Sequence, residues 1–415
     1  MNFVSSQLLN VYLNFSKEES LFIGRLAIQD QKIWFEYDAD FIKSNLEISP
    51  FKLPLQGGVH SSKDIVFEGL YGAFNDSLPD AWGRLLIDRK LRKLKIEPNT
   101  ISPLDRLSLI GDHGFGALVY KPEQNFDNLN FTDLDINLDN LYSDSLKILE
   151  GKANDSIDEM LSFSGSAGGA RPKINILFDK NKKKIFHPQY NLKNNYEQWL
   201  IKFSASQDLN DLGAVEYAYS SMARKAGIEM TDTYLFSTKK NAGYFGTKRF
   251  DKEGLNRLHA HTASGLLHAD HRYPSLDYEN LLKTTLLLTK DINEVTKVYR
   301  LAVFNVLAFN RDDHSKNFSF LMDNKGIWKF APAYDLTFSY GPGGEHSMMV
   351  CGEGRNPGNK ELRELARKFE IKNHQEILET TKEAVSQWKS IAKSCNVSSD
   401  SIKLIGNKLK ETLNA

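Results

Sequence analysis

The chain has 415 residues, 41% of them apolar and including 25 Phe, 16 Tyr and 5 Trp, a composition that excludes disorder and at this length predicts two or three subdomains. Apolar runs fall far short of the ~20 residues a membrane-spanning helix needs. The opening Met1-Asn2-Phe3-Val4-Ser5-Ser6 lacks a signal peptide's pattern, and two cysteines, Cys351 and Cys395, exclude a disulfide framework or a thiolate zinc cluster, so a cytoplasmic protein is expected. A formal net charge of zero hides an uneven spread: residues 1–150 carry 15 basic and 22 acidic side chains, and the remainder is correspondingly basic. That split suits a basic face for phosphates of nucleotide or nucleic acid, and equally an ordinary fluctuation.

In chain order, residues 1–53 alternate apolar and polar positions, as in Leu21-Phe22-Ile23-Gly24-Arg25-Leu26 and Ile33-Trp34-Phe35-Glu36-Tyr37, and read as short antiparallel strands. From Asp64 to Lys95 the spacing of Ile65, Leu70, Phe74, Leu78, Trp82, Leu85, Leu86, Leu91 and Leu94 is roughly helical, with a break at Leu78-Pro79. Between Glu123 and Asp158 the chain turns acidic, Asn-rich and weakly periodic, and a linker is expected there. Strands follow at Ile174–Phe178, Trp199–Phe203 and Tyr244–Phe250, interrupted by a helix from about Val215 to Ala226 that Gly227 ends. Residues 279–311 and 360–413 read as mostly helical, flanking a hairpin of Phe318–Met322 and Ile327–Phe330 around Asp323-Asn324-Lys325-Gly326. Strands with one helix, then helices around a hairpin, is the layout of a two-lobed kinase. The expected fold is therefore α+β and protein-kinase-like. Its expected parts are a small β-rich unit with helices over 1–125, an acidic linker over 126–158, a β-rich lobe over 159–252 and a mainly helical lobe over 253–415.

The chemistry concentrates in a few segments. Phosphoryl transfer needs a carboxylate to take the hydroxyl proton and oxygen ligands to hold magnesium on the nucleotide. In Arg311-Asp312-Asp313-His314-Ser315-Lys316-Asn317, Asp312 and Asn317 stand five positions apart, as the base and a metal-binding Asn do on a kinase catalytic loop; Asp313 does not. The hairpin then leads through Ala331-Pro332-Ala333-Tyr334 to Asp335, where a kinase has its second metal ligand. Upstream, the small-residue run Ser162-Phe163-Ser164-Gly165-Ser166-Ala167-Gly168-Gly169-Ala170-Arg171-Pro172-Lys173 lets backbone N–H groups approach phosphates, with Arg171 or Lys173 adding charge, although it is no Walker loop. A plain flexible loop has the same composition. Lys202, inside the apolar strand Trp199-Leu200-Ile201-Lys202-Phe203, needs a partner if buried, and Glu216 on the next helix is placed to be it. Gly111-Asp112-His113-Gly114-Phe115-Gly116 has the wrong glycine order for a dinucleotide loop and reads as a turn. His259, His261, His268 and His271 lack the spacing of a zinc site and are expected to line a loop near the active site or solvent.

Taken together, these residues resemble the HipA family of bacterial toxin kinases over most of the chain. The carriers of the resemblance are Asp76-Ser77-Leu78-Pro79-Asp80-Ala81-Trp82-Gly83, the loop Ser166–Lys173, Lys248-Arg249-Phe250-Asp251 as the hinge beside adenine, Asp312–Asn317 with Phe318, and Tyr334-Asp335. The resemblance implies a Ser/Thr kinase using ATP and Mg2+. It implies Asp312 as base, Asn317 and Asp335 on the metal, and Lys202 paired with Glu216. ATP would be bound by Gly168, Gly169, Ala170, Arg171, Pro172, Lys173, Lys202, Lys248, Arg249, Phe250, His314, Lys316 and Tyr334. It further implies autophosphorylation of the loop serine, matched by Ser166 with Ser164 and Ser162 as alternatives, a protein substrate such as an aminoacyl-tRNA synthetase, a small helix-turn-helix antitoxin, and operator DNA reached through it. Asp313 and Arg171-Pro172 depart from the best-known member. An idle kinase fold serving as corepressor, or an active kinase with another substrate, are the rival expectations.

Overall fold

Alternation builds the first sheet. In β3 (Lys32–Tyr37) Ile33, Phe35 and Tyr37 are buried while Lys32 and Glu36 face water. It pairs antiparallel with β2 (Ser20–Gln29), which pairs with β1 (Leu8–Asn14); β4 (Val59–His60) and β5 (Leu118–Lys121) flank them in the order β4-β3-β2-β1-β5. Gly24 sits where the β1–β2 register shifts, and a Cβ there would lie 2.1 Å from the Glu36 carbonyl oxygen. The computed structural model describes residues 3–63, 65–124, 136–152, 155–165, 168–181, 184–188 and 196–414.

Helix α1 (Ala81–Lys93) starts after the Leu78-Pro79 break and joins the sheet unit to the rest of the chain. Trp82 and Leu86 pack with Ile174, Ile176 and Phe178 of the next lobe, while Ile87 and Leu91 pack with Ile101 and Ile110 of their own. The stretch expected as linker carries α2 (Leu138–Leu149), which buries Leu138, Leu141, Ser145 and Ile148. These four positions recur at helical spacing, masked by the Asn and Asp around them. Tyr142 rests on Tyr244, and Asp139 accepts the Tyr244 hydroxyl at 2.8 Å, so α2 is part of the lobe core. Helix α3 (Ile157–Ser164) follows, so Ser162 and Ser164 are helical and the glycine-rich loop begins only at Gly165.

The second sheet runs β7-β6-β8-β10-β9, from β6 (Lys173–Asp179), β7 (Ile185–Phe186), β8 (Tyr196–Lys202), β9 (Thr233–Phe236) and β10 (Tyr244–Lys248). Helix α4 (Leu212–Lys225) covers it and ends before Gly227 at φ +76°. Beyond the hinge, α5 (Tyr278–Thr289), α6 (Ile292–Leu307) and the helices Asn359–Lys368, His374–Ser386, Trp388–Ser394 and Ser399–Asn414 form the second lobe. Strands β11 (His259–Thr262), β12 (Ser319–Met322) and β13 (Trp328–Phe330) make a small antiparallel sheet at its edge. The fold is thus α+β and kinase-like in its two lobes, with the N-terminal sheet unit attached.

Of the four crowded histidines, His271 lines the outer cleft beside His314, as a loop near the active site would, while the other three are buried away from solvent. His259 and His261 are fully buried on β11. His259 Nε2 lies 2.8 Å from the Ile48 carbonyl, His261 Nδ1 lies 2.6 Å from Asp76, and His268 Nε2 accepts from the Gly72 amide at 3.0 Å. All three fasten the N-terminal unit to the helical lobe. Among the described residues no helix is long and apolar enough to cross a membrane.

Candidate active site

β8 delivers the first charge. Pleating sends Trp199 and Ile201 into the core and leaves Lys202, the last strand residue, facing the cleft between the lobes. Its ammonium lies 2.8 Å from Glu216 of α4 and 2.5 Å from Asp335. Burial works against ionising Asp335, but Lys202 and then Lys173 outweigh it and hold the carboxyl far below the usual range. Asp335 adopts a left-handed backbone, φ +58°, a conformation disfavoured for a non-glycine residue.

The loop after α6 separates two adjacent carboxylates. Asp313 is buried and accepts from the Tyr278 hydroxyl (2.9 Å) and the Ser347 amide (2.9 Å), with His346 Nδ1 also at 2.9 Å. It is therefore a structural anchor, and the extra acidic charge expected beside Asp312 is turned away from the cleft. Asp312 lines the cleft. Burial, against the opposing pull of His314, raises its carboxyl above the usual value, with Asp335 adding to the rise. Asn317 donates its side-chain amide to the Asp312 carbonyl at 2.8 Å, which leaves its side-chain oxygen as a free acceptor type. His314 and Lys316 line the same space.

The glycine-rich segment forms the roof. Gly168 and Gly169 line an inner cavity of about 170 Å³ with Lys173, Lys202, Asn317 and Asp335. It shares a wall with an outer cleft of about 660 Å³ that reaches Ala170, Arg171 and Asp312. Lys173 donates to the Gly168 carbonyl, and burial pushes its ammonium down to about 8. Arg171 is drawn to Asp208 by two bonds of 2.9 and 3.0 Å. Pro172 does not line either space; its carbonyl accepts from Phe203 N at 2.8 Å. At the hinge, Phe250 packs between Phe115 and Tyr334, with ring centroids 5.8 and 5.2 Å away. Lys248 and Arg249 line the cavity, yet their cationic heads bind Glu197 at 2.8 Å and Asp251 at 2.6 Å. Tyr334 fixes the Asp312–Asn317 segment by donating to the Lys316 carbonyl at 2.6 Å.

Of the serines considered for modification, Ser164 is buried and donates to the Met160 carbonyl at 2.8 Å, and Ser162 donates to the Glu159 carbonyl at 2.6 Å. Ser166 lies outside the described residues.

The sequence carries two family signatures in this frame: residues 9–121 match the HipA N-terminal domain and residues 165–388, more than half the chain, match the HipA-like C-terminal domain. The chain belongs to the HipA family. HipA of Shewanella oneidensis MR-1, solved with HipB and its operator DNA, superposes with a TM-score of 0.67 over 98% of this chain and 96% of that one, at 16% identity. A weaker likeness, TM-score 0.37 at 13% identity over 54% of this chain and 88% of the other, is to the Helicobacter pylori proinflammatory kinase CtkA. Y4dM of Sinorhizobium fredii, a protein whose name marks it as a proposed kinase, is 23% identical over 211 residues, 46% of this chain and 51% of that one. The chain thus spans about half the length of this curated relative.

Several contributors to this HipA-like cleft were not assigned to it from sequence, among them Asn175, Leu200, Thr247 and Thr262. Phe115 comes from the segment expected to be a turn, and Asp80 comes from the N-terminal motif; both line the inner cavity.

Proposed function

We propose that this HipA-family chain is an ATP- and magnesium-dependent Ser/Thr protein kinase acting as the toxin of a toxin–antitoxin pair. The observation that carries the reading is the bridge of Lys202 between Glu216 and Asp335 at the wall of a cleft that also holds Asp312 and Asn317. A buried lysine shared by two carboxylates has little purpose in a simple binding pocket, whereas phosphoryl transfer needs a fixed cation on the inner phosphates.

In this reading adenine enters the slot beside Phe250 and Tyr334, and Gly168, Gly169, Lys173 and Lys202 meet the phosphates. Asp312, its carboxyl raised by burial, takes the proton of the incoming hydroxyl. Asn317 and Asp335 form an oxygen-only donor set suited to a hard cation, and they would hold the metal. Bound magnesium would neutralise charge on the transferring phosphoryl group. Arg171, His314 and Lys316 stand near enough to the cleft to order the outer phosphate.

Three finer parts of the proposal follow from family likeness. The partner is a small helix-turn-helix antitoxin, with operator DNA reached through it, by analogy with the Shewanella complex. The target is a translation component such as an aminoacyl-tRNA synthetase. Phosphorylation of Ser166, the loop serine, would limit the enzyme by adding about −1.5 to −2 charge beside the phosphate site. The test is incubation with labelled ATP, magnesium and cell lysate, followed by mass spectrometry of labelled proteins. Label in a lysate protein that is absent with Asp312→Asn is expected; no transfer to any protein, itself included, would end the kinase reading.

A further inference from the structure

Asp80 stands at the N-cap of α1, where an aspartate ordinarily accepts from the first free amides of its own helix. It makes no such bond. Its carboxylate instead crosses to the other lobes, one oxygen accepting from the Gly169 amide at 2.9 Å and the other from the Lys316 ammonium. Neighbouring atoms repeat the grip. The Trp82 amide donates to the Gly169 carbonyl at 3.3 Å, and the Trp82 indole donates to the Lys173 carbonyl at 3.1 Å. Four residues earlier, Asp76 is buried and accepts from the Thr262 amide (2.7 Å) and hydroxyl (2.8 Å), with His261 at 2.6 Å. The segment is packed too closely to shift: a Cβ on Gly83 would come within 2.5 Å of Pro79, and one on Gly265 within 2.4 Å of Asp76. Asp76-Ser77-Leu78-Pro79-Asp80-Ala81-Trp82-Gly83 is therefore a staple between the N-terminal unit and both walls of the cleft.

From this geometry we infer that Asp80 is a positioning residue for phosphoryl transfer, through which the N-terminal domain aligns the glycine-rich loop and Lys316 with each other. The inference rests on the kinase reading above. Lys316 carries a long flexible side chain, and the Gly168–Gly169 segment is conformationally free; one rigidly held carboxylate fixes both. Its neutral isostere keeps an acceptor for Gly169 but loses the charge that holds Lys316.

Two effects then oppose one another in nucleotide affinity, because removing a negative charge near the phosphates favours ATP while a loosened Lys316 disfavours it. In the transfer step they do not offset, since alignment matters most there. Asp80→Asn is expected to lower kcat roughly 10- to 100-fold, the range of one lost charge-assisted hydrogen bond, with KM for ATP unchanged or lower. Asp80→Glu, which restores the charge, should recover part of kcat. A role in fold stability alone would raise KM and lower the melting temperature together. The experiment is steady-state autophosphorylation and ATP-binding calorimetry on the full-length wild-type, Asp80→Asn and Asp80→Glu proteins, with melting curves alongside. Wild-type kcat in Asp80→Asn, or a higher one, overturns the inference and would mark the carboxylate as a competitor of phosphate. An equal fall in both substituted proteins accompanied by lost stability also overturns it. A wild-type protein that transfers no phosphate overturns this inference together with the kinase reading, whereas an active wild type with an unaffected Asp80→Asn overturns this inference alone.

Discussion

Replacing Lys202 by Met tests the charge cluster at the centre of the cleft. Methionine keeps most of the side-chain volume, so the change removes charge and leaves packing nearly intact. The side chains of Lys202 and Glu216 are 10% and 4% exposed, while that of Asp335 is 32% exposed. Losing the ammonium therefore strands Glu216 more severely than Asp335, which faces the cleft and keeps Lys173 nearby. Breaking a buried pair from one side costs about 3–5 kcal/mol, and Glu216 can limit that cost by taking up a proton, so the lower end is expected. For a unit of about 150–250 residues unfolding as one, about 3 kcal/mol corresponds to a fall in melting temperature of roughly 6–12 °C, and a larger cooperative unit would show less. The companion Lys202→Met/Glu216→Gln removes the stranded charge as well and should regain most of the loss, since facing neutral groups replace an unpaired one. Calorimetric unfolding of wild type, both single substitutions and the double one measures the coupling. ATP titration of the same proteins should show weak binding in every variant lacking Lys202. The reasoning fails if Lys202→Met melts like wild type, or if the two single losses simply add.

The neighbouring acids of the catalytic segment should behave oppositely. Asp312→Asn is expected to lower the transfer rate by ~10²–10⁴-fold without a change in melting temperature. Asp313→Ala should instead destabilise the fold by about 3 kcal/mol or more, because it leaves the Tyr278 hydroxyl and the Ser347 amide without their acceptor, as denaturant unfolding would reveal. ATP affinity should weaken as pH rises through about 8, where Lys173 loses its proton, and Lys173→Arg should flatten that limb of a titration series. The acid limb of kcat/KM should lie above the ordinary aspartate range, since the Asp312 carboxyl is raised, and it should vanish from the residual activity of Asp312→Asn.

What could be read from sequence was what lies close together in the chain. Asp312 to Asn317 is one short loop, and a lysine in an apolar strand announces a partner whatever the fold around it. The helix after that strand was visible from its apolar spacing, so Glu216 could be paired with Lys202 in advance, and the structure brings them within 2.8 Å. Helix α2 escaped because Asn137, Asp139, Asn140 and Asp144 dominate its composition, although Leu138, Leu141 and Ile148 keep helical register. Ser162 and Ser164 were read as loop for the reverse reason: small residues that suit a loop also continue a helix whose buried face is Ile157, Met160 and Phe163. His259 and His261 were expected on a loop near the active site or solvent because nothing local in the sequence shows that β11 sends them towards partners more than 180 residues away.

The uneven charge of the chain has a cause in the structure beside the two that composition offered. The basic portion after residue 150 brings its cationic groups in the cleft already matched by anions or dipoles: Lys202 by Glu216 and Asp335, Arg171 by Asp208, Lys173 by the Gly168 carbonyl, and Lys316 by Asp80. Unmatched, such cations would repel one another, by about 4 kcal/mol for a pair 4 Å apart at an effective dielectric near 20. Pairing removes that repulsion and fixes each head group in place before any ligand arrives, so little reorganisation remains for the reaction. One of these anions, Asp80, comes from the acidic first part of the chain, and other acids of that part dock on later segments. Asp80 holds Lys316, Asp112 lies 3.8 Å from Arg257, and Asp76 meets His261 and Thr262. Part of the acidic excess in residues 1–150 therefore belongs to domain docking, and the basic excess beyond it is in part the complementary face. If the proposed kinase reading holds, a nucleotide entering the cleft would meet cations whose positions the N-terminal unit has helped to set, Lys316 through Asp80 above all, and that unit would act as part of the active site rather than as an appendage to it.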